Sequence, residues 1–422
     1  MQSLGYRRIS KCRLCDGAFF DKIVRVANTP TANQLMDSRE SAKSALRIPL
    51  ELAMCSKCKH IQLLDIVDAN KLFADYIYKS GTSETFIKHF RGLASTISEL
   101  DLEINYVLEV GSNDGTLLRE LGKRGVRSIG IEPSQLLVSE CNASGLETYC
   151  GFFNDETVAQ LKSSFGEPSV IVGNNVFAHI DDLNDAFDCV SRNLSDDGYF
   201  IFEVADVSQI IKKGYFDSIY HEHMSYHSVI SMLPMALKHG FSIFKVERID
   251  THGGSFRFFL TKLGKHNNPA TTDAMVLEEE QLGLDSVAAL IAIENQIESI
   301  RTSANRELSA VFSDAKNYVI GYGAPAKVVT FLSATGLENI SLVSIVDDNQ
   351  LKQGKFIPGS GFQILSQGEV QVQIENHDQD MRIVCLIFPW NLGQEIKGKL
   401  ANWLPRGSQV ITFFPEVIKV EL

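Results

Sequence analysis

Tyr106-Val-Leu-Glu-Val-Gly-Ser-Asn-Asp-Gly-Thr-Leu-Leu-Arg119 is the stretch whose reading decides the fold. An unbroken apolar run closed by a glycine turn reads as a strand buried on both faces, and Thr116 onward opens a helix. Glycine at 111 and 115 lets the chain turn sharply and lets a ligand approach bare backbone at the end of the strand. The spacing is not the G-x-G-x-x-G of dinucleotide enzymes. Working outward, further strands are expected at Ser128–Ile131, Glu147–Cys150, Ser169–Val172 and Tyr199–Glu203, with helices between most of them. Strands alternating with helices imply a parallel, doubly wound sheet. A strand pair near Phe241–Ile249 and Gly254–Leu260 closes it with an antiparallel edge.

On either side of this unit the pattern changes. Upstream, the loop Tyr76-Ile-Tyr-Lys-Ser-Gly-Thr-Ser83 leads into an amphipathic helix expected from Glu84 to Glu99. Downstream, residues Thr272 to Phe312 carry Glu, Ala, Leu and Ile at helical spacing without proline and form one long helix or two. A second strand-turn-helix series follows, with strands at Tyr318–Gly321, Leu342–Val346, Arg382–Ile387 and Gln409–Thr412. The chain of 422 residues is too long for one core. We divide it into residues 1–80, 81–268 and 269–422: a small N-terminal module, a first α/β domain, and a helical linker with a second, smaller α/β domain.

The N-terminal module is defined by cysteine. Cys12-Arg-Leu-Cys15 and Cys55-Ser-Lys-Cys58 stand about forty residues apart, and two such knuckles supply the four thiolates of a tetrahedral zinc site. A site closed by four protein ligands leaves no position for chemistry, so the zinc expected here is structural. Cys141, Cys150, Cys189 and Cys385 show no such spacing, which points to a reducing, cytoplasmic setting. A turn is expected at Asn28-Thr29-Pro30 and a strand-like run around Ile61 to Ile66.

The formal net charge of −12 disfavours a nucleic-acid partner, because phosphate binding needs a basic face. The local cluster Arg7, Arg8, Lys11 and Arg13 reads as a solvated rim of the zinc module. No apolar run approaches the length of a membrane span, so no membrane partner is expected. Oligomeric state is not legible.

The glycine turn is the first site of chemistry. Glu109-x-Gly111-x-Asn113-x-Gly115 resembles motif I of the class I S-adenosylmethionine methyltransferases. About twenty residues on, Glu132 ends the second strand, where a carboxylate can accept both hydroxyls of a ribose. The fourth strand runs into Gly173-Asn-Asn-Val-Phe-Ala-His-Ile180, which places Asn174 and Asn175 along the cofactor.

The second site is a cluster of titratable groups, His179 together with Tyr220-His-Glu-His223. Two histidines at i and i+2 are rotated by about 200° on a helix, so His221 and His223 do not match a metalloprotease motif. The cluster suits proton removal from a carbon beside a carbonyl, with hydrogen bonds to the oxyanion that forms. The third site is Val319-Ile-Gly-Tyr-Gly-Ala-Pro-Ala-Lys327, a second glycine turn in which Gly321, Gly323 and Lys327 suit a pyrophosphate. Asp347 and Asp348 follow the next strand as they would in a dinucleotide site, and Trp390 reads either as a base-stacking or as a packing residue.

Taken together, the zinc module, the motif I turn, the Tyr220–His223 cluster and the Gly-Tyr-Gly-Ala-x-x-Lys opening resemble the nucleotide-sugar 3-C-methyltransferase family over nearly the whole chain. The resemblance implies a class I methyltransferase Rossmann-like domain, a second Rossmann-like domain, S-adenosylmethionine as cofactor and a 4-keto-deoxy nucleotide sugar as substrate. It implies His223 as the base, with Tyr220, Glu222 and His179 lining the sugar and His221 beside them. A linker tyrosine, Tyr76 in preference to Tyr78, is implied to reach the site. The rival readings are an NAD(P)-dependent oxidoreductase and a non-enzymatic zinc-ribbon interaction protein. Which nucleotide and which sugar are used is not legible.

Overall fold

The computed structural model describes residues 5–69, 72, 81, 84–251, 253–265, 269–377 and 380–422. The stretch around Gly111 behaves as its residues dictate. β6 (Val107–Val110) is buried along its whole length, and the helix Thr116–Gly122 starts directly after Gly115. β6 is an interior strand of a seven-stranded sheet. Its parallel members are β7 (Ser128–Glu132), β8 (Thr148–Cys150), β9 (Val170–Asn174) and β10 (Tyr199–Ala205). The antiparallel pair β12 (Phe241–Ile249) and β13 (Ser255–Lys262) completes it, β13 pairing with β10 from Tyr199↔Thr261 to Ala205↔Ser255. The order β12-β13-β10-β9-β6-β7-β8 reverses direction between β6 and β9, the point where an open α/β sheet leaves a crevice.

The second α/β unit has the order β16-β15-β14-β17-β18-β19. Its strands are β14 (Asn317–Tyr322), β15 (Ile345–Val346), β16 (Ile364–Leu365), β17 (Arg382–Ile387), β18 (Gln409–Thr412) and β19 (Ile418–Glu421). The strand expected over Leu342–Val346 shortens to its last two residues, and the expected long helical stretch divides into Pro269–Gln281 and Ala288–Ser313. The break falls at Gly283, whose φ of +75° no continuing helix adopts.

The N-terminal module pairs β1 (Tyr6–Arg8) with β5 (Asp65–Val67) and builds a four-stranded sheet from β2 (Phe20–Thr29), β3 (Ile48–Cys55), β4 (Ile61–Leu63) and a strand from far along the chain, β11 (Ser225–Tyr226). Asn28 and Thr29 end β2 in register with Pro49 and Ile48, so the chain stays extended where a turn was expected. Arg13 is not a solvated rim residue. Its side chain is 3 % exposed and pairs with Asp181 at 2.7 Å, while Arg8 bonds Glu51 at 2.6 Å and Asp65 at 2.7 Å.

The three parts share cores. Cys12, Leu14, Cys55 and Cys58 belong to the same apolar cluster as Phe177, Phe187, Phe200, Phe202 and Phe258 of the central sheet. Val24, Leu50 and Leu52 of the N-terminal module join Leu290, Ile293, Phe331 and Leu386 in another. Arg47 bonds both oxygens of Glu338, at 2.9 and 2.8 Å, and Met36 and Phe356 exchange backbone hydrogen bonds of 3.0 and 2.8 Å.

One buried carboxyl is matched across elements. Glu279 in the helix Pro269–Gln281 is fully buried and accepts the N–H groups of Val229 and Ile230 at 2.8 and 2.9 Å, which caps the helix Val229–Lys238. Glu279→Ala leaves two enclosed N–H groups without acceptors. Thermal or urea unfolding should register a loss of about 2 kcal/mol.

Candidate active site

The two cysteine knuckles are built alike. In each, the residue after the second cysteine has left-handed backbone, Asp16 at φ 58° and Lys59 at φ 61°, and returns its N–H to the carbonyl of the first cysteine, at 3.0 Å to Cys12 and 3.1 Å to Cys55. This curls each pair of thiols toward one point. All four Sγ atoms lie within 4.8 Å of one another, and Cys12–Cys58 and Cys15–Cys55 are each 3.5 Å apart. A tetrahedron of Zn–S bonds at 2.3 Å has edges of about 3.8 Å, so the four cysteines fit zinc.

At the switch point, Gly111, Asn113 and Gly115 have φ of 66°, 50° and 70°. Glycine and asparagine are the residues that tolerate this conformation, which explains the motif chemically. A Cβ on Gly111 would fall 2.6 Å from Val176 Cγ2, so the chain before the turn is also packed too closely for a side chain. Glu132, at the end of β7, accepts the N–H of Asn113 at 3.0 Å on one oxygen and that of Ser134 at 2.9 Å on the other. Each oxygen keeps a second lone pair for a ligand hydroxyl. Among the described residues, Glu109 Oε2, Ser112 Oγ and both polar atoms of Asn174 are buried without a hydrogen bond of ordinary geometry. Burial also pushes the Glu109 and Glu132 carboxyls above their usual range. Enclosed donors and acceptors left unpaired around a glycine turn fit a polar ligand such as a nucleoside. A separate hollow of about 380 Å³ borders this loop through Asp114 and Thr116 and is lined by Arg119, Lys123 and Glu140, but by none of the histidines.

The histidine cluster comes together around the segment Asp217–Tyr226. Tyr220 and His223 are bonded at 2.7 Å, hydroxyl to Nε2, and His223 Nδ1 lies 3.1 Å from the Ser218 carbonyl. Nδ1 therefore carries the proton and Nε2 accepts from the phenol. The His179 and His223 rings are 4.9 Å apart. His179 Nδ1 donates to the Glu222 carbonyl at 2.6 Å, and burial pulls this ring down to about 4, so it is neutral with its one N–H in use. His221 turns away toward the N-terminal module, where Nε2 meets the Pro49 carbonyl at 3.2 Å. Glu222 is held by Asn33, whose amide reaches Oε2 at 2.6 Å.

Both ends of this segment are fastened by other parts of the molecule. Ser225 and Tyr226 pair with Gln62 and Ile61 of β4. At the other end Thr330 Oγ1 donates to the Ile219 carbonyl at 2.7 Å, and Trp390 Nε1 donates to Asp217 at 2.8 Å. Asn33, Thr330 and Asp217 were not singled out in the sequence, where no motif or spacing connects them with the cluster. Tyr76 and Tyr78 lie outside the described residues.

The C-terminal turn differs from its sequence reading. A Cβ on Gly321 would lie 2.8 Å from Ile345 Cγ1, and one on Gly323 2.1 Å from Pro389 Cγ, so both glycines answer to packing. The Ala324 N–H is held by Asp347 at 2.7 Å, and Lys352 bonds the Ala324 carbonyl at 2.9 Å. A carboxylate on the turn amide repels a phosphate there. Lys327 instead points its buried ammonium, without a hydrogen-bond partner among the described residues, over the ring of Trp390, 4.0 Å from its centre, and Trp390 stacks on Tyr215.

Three family models match successive stretches of the chain: a zinc binding domain over residues 12–73, a methyltransferase domain over 84–246 and a C-methyltransferase C-terminal domain over 250–415. C-methyltransferase NovU of Streptomyces niveus is 29 % identical over 414 residues, which is 97 % of this chain and 96 % of that protein. Solved structures resemble a part of it. A SAM-dependent methyltransferase from Thermotoga maritima is 18 % identical with a TM-score of 0.32, over 42 % of this chain and 91 % of its own. Magnesium protoporphyrin IX methyltransferase from Synechocystis PCC 6803 is 14 % identical with a TM-score of 0.33, over 42 % and 82 %. Among the described residues, no helix is long and apolar enough to cross a membrane.

Elemental analysis of the purified chain should find one zinc per molecule. Cys55→Ser should lose it and lower the melting temperature by more than about 5 °C, since metal binding is part of folding in such modules.

Proposed function

We propose, from the premise that this chain is a methyltransferase with an N-terminal zinc binding domain and a C-methyltransferase C-terminal domain, that it transfers a methyl group to C3 of a 4-keto-deoxy nucleotide sugar. The observation that carries the reading is the hydrogen-bonded pair Tyr220–His223, its imidazole 4.9 Å from the ring of His179 on the segment that follows β9 of the methyltransferase sheet. Carbon is a poor nucleophile until a proton is removed next to a carbonyl, and a tyrosine–histidine pair is suited to that task.

S-adenosylmethionine, when bound, supplies an electrophilic methyl group. Glu109, Gly111, Asn113, Gly115, Glu132, Asn174 and Asn175 are the residues proposed to hold it. For the proton, the direction of the Tyr220–His223 bond suggests a relay in place of direct attack by the imidazole. The phenol oxygen takes the proton from C3 while its own proton passes to His223 Nε2. The products are an enolate and an imidazolium whose Nδ1–H stays on the Ser218 carbonyl. The electron pair left at C3 forms the new carbon–carbon bond, and the imidazolium returns its extra proton to solvent. His179 holds the Glu222 backbone in place, and the donor to the enolate oxygen is assigned to Tyr76 of the linker.

Lys327 is the proposed anchor for the diphosphate of the sugar nucleotide. Its ammonium is enclosed, has no hydrogen-bond partner among the described residues, and is pulled below its usual range by burial, which the nearby Asp217 carboxyl only partly opposes, so a further anion would relieve its desolvation. The rival dinucleotide reading is disfavoured by Asp347, which occupies the amide a pyrophosphate would need.

Incubation with methyl-labelled S-adenosylmethionine and thymidine- and guanosine-diphosphate 4-keto-6-deoxy sugars should place the label on C3 by mass spectrometry and NMR. Label on no sugar carbon would overturn the reading. Without methyl donor, the wild type should exchange the C3 proton with deuterated solvent. His223→Asn and Tyr220→Phe should each slow exchange at least about 100-fold. Retained exchange in Tyr220→Phe with loss in His223→Asn would make His223 the direct base.

A further inference from the structure

Asn33 lies on the loop after β2, in the N-terminal module, 189 positions before the carboxylate it touches. Its side-chain amide donates to Glu222 Oε2 at 2.6 Å. Glu222 is 1 % exposed. Its other oxygen, Oε1, is buried and has no hydrogen-bond partner among the described residues. A carboxylate oxygen enclosed without a donor is costly, so it marks a position that a donor on a ligand should fill. The segment around Glu222 is held to the same module, through Leu63 N–H on the Met224 carbonyl at 2.9 Å and His221 on the Pro49 carbonyl. Asn33 is the contact from this module that reaches the carboxylate itself.

We propose that Asn33 is a positioning residue for methyl transfer, clamping one oxygen of Glu222 so that the other is presented, ionised, to a hydroxyl or amino donor of the sugar. The inference rests on the methyltransferase reading above and assigns a part in it to the zinc module. Burial raises the Glu222 carboxyl to about 7, and the Asn33 hydrogen bond opposes that rise. The titratable groups around it are His179, bonded to the Glu222 carbonyl, and Tyr220, His221 and His223 on its own segment. Among the described residues, no ion pair reaches Glu222. The sign follows directly. The ionised form is the one Asn33 stabilises, so activity depending on it falls as pH drops through about 7. Removing the amide raises the folded pKa and moves that limb to higher pH.

Two measurements decide it, one independent of substrate. In protein labelled with carboxyl-¹³C glutamate, the NMR resonance missing from Glu222→Gln should titrate near 7 in the wild type and about one unit higher in Asn33→Ala and Asn33→Leu. With a thymidine-diphosphate 4-keto-6-deoxy sugar, the acid limb of kcat should shift by the same amount. In Glu222→Gln the limb should be absent, and adding Asn33→Ala should then change nothing further. A resonance and limb unmoved by either substitution, with only zinc content or melting temperature reduced, would make Asn33 merely structural and overturn the proposal. If the wild type methylates no sugar, the functional reading falls, while the NMR titration still decides whether Asn33 governs Glu222.

Discussion

Everything proposed for this site depends on how the ten residues Asp217–Tyr226 are held. They contain little regular structure of their own, only a single 3-10 turn and a two-residue strand. A segment of that kind has low intrinsic stability, and its geometry must come from its neighbours. Here the neighbours are different parts of the chain. The zinc module takes Ser225 and Tyr226 into its sheet, and the C-terminal unit holds Ile219 through Thr330 and Asp217 through Trp390. The rings of Tyr220 and His223 are suspended between these two attachments.

This arrangement gives the metal site a defined physical role. Four cysteine sulfurs converge on one point, and β3 and β4, between which the second knuckle sits, are the strands that hold His221 and β11. Arg13, inside the first knuckle, is buried and crosses to Asp181, two residues after His179. A buried cation paired across an interface is costly to disturb. The first knuckle thus reaches residues 179–181, and the strands that flank the second reach residues 217–226.

The parts legible in the sequence were those governed by local rules. Val107–Val110 reads as a buried strand from its own side chains, and the left-handed backbone at 111, 113 and 115 calls for the glycines and asparagine found there. The cysteine spacing likewise implies its knuckles. Trp390 was ambiguous because stacking on a ligand base and stacking on Tyr215 require the same ring, and the pattern of residues around it is silent on which partner is near. Gly321 and Gly323 were read as phosphate-binding because glycine also marks close packing, in this case against Ile345 and Pro389. Arg13 was taken for a solvated residue because its partner lies 168 positions away.

The sequence by itself determined the class of fold, the switch-point crevice and the metal-binding chemistry, since each follows from periodicity, conformational tolerance or ligand spacing within a short window. Tertiary structure alone decided which nitrogen of His223 meets the Tyr220 hydroxyl and that Asn33 is bonded to Glu222. Protonation and orientation are set by hydrogen bonds from residues far off in the chain, such as the 2.6 Å contact across 189 positions between Asn33 and Glu222. No local pattern encodes a bond of that kind; it exists only once the zinc module has folded against the segment it steadies.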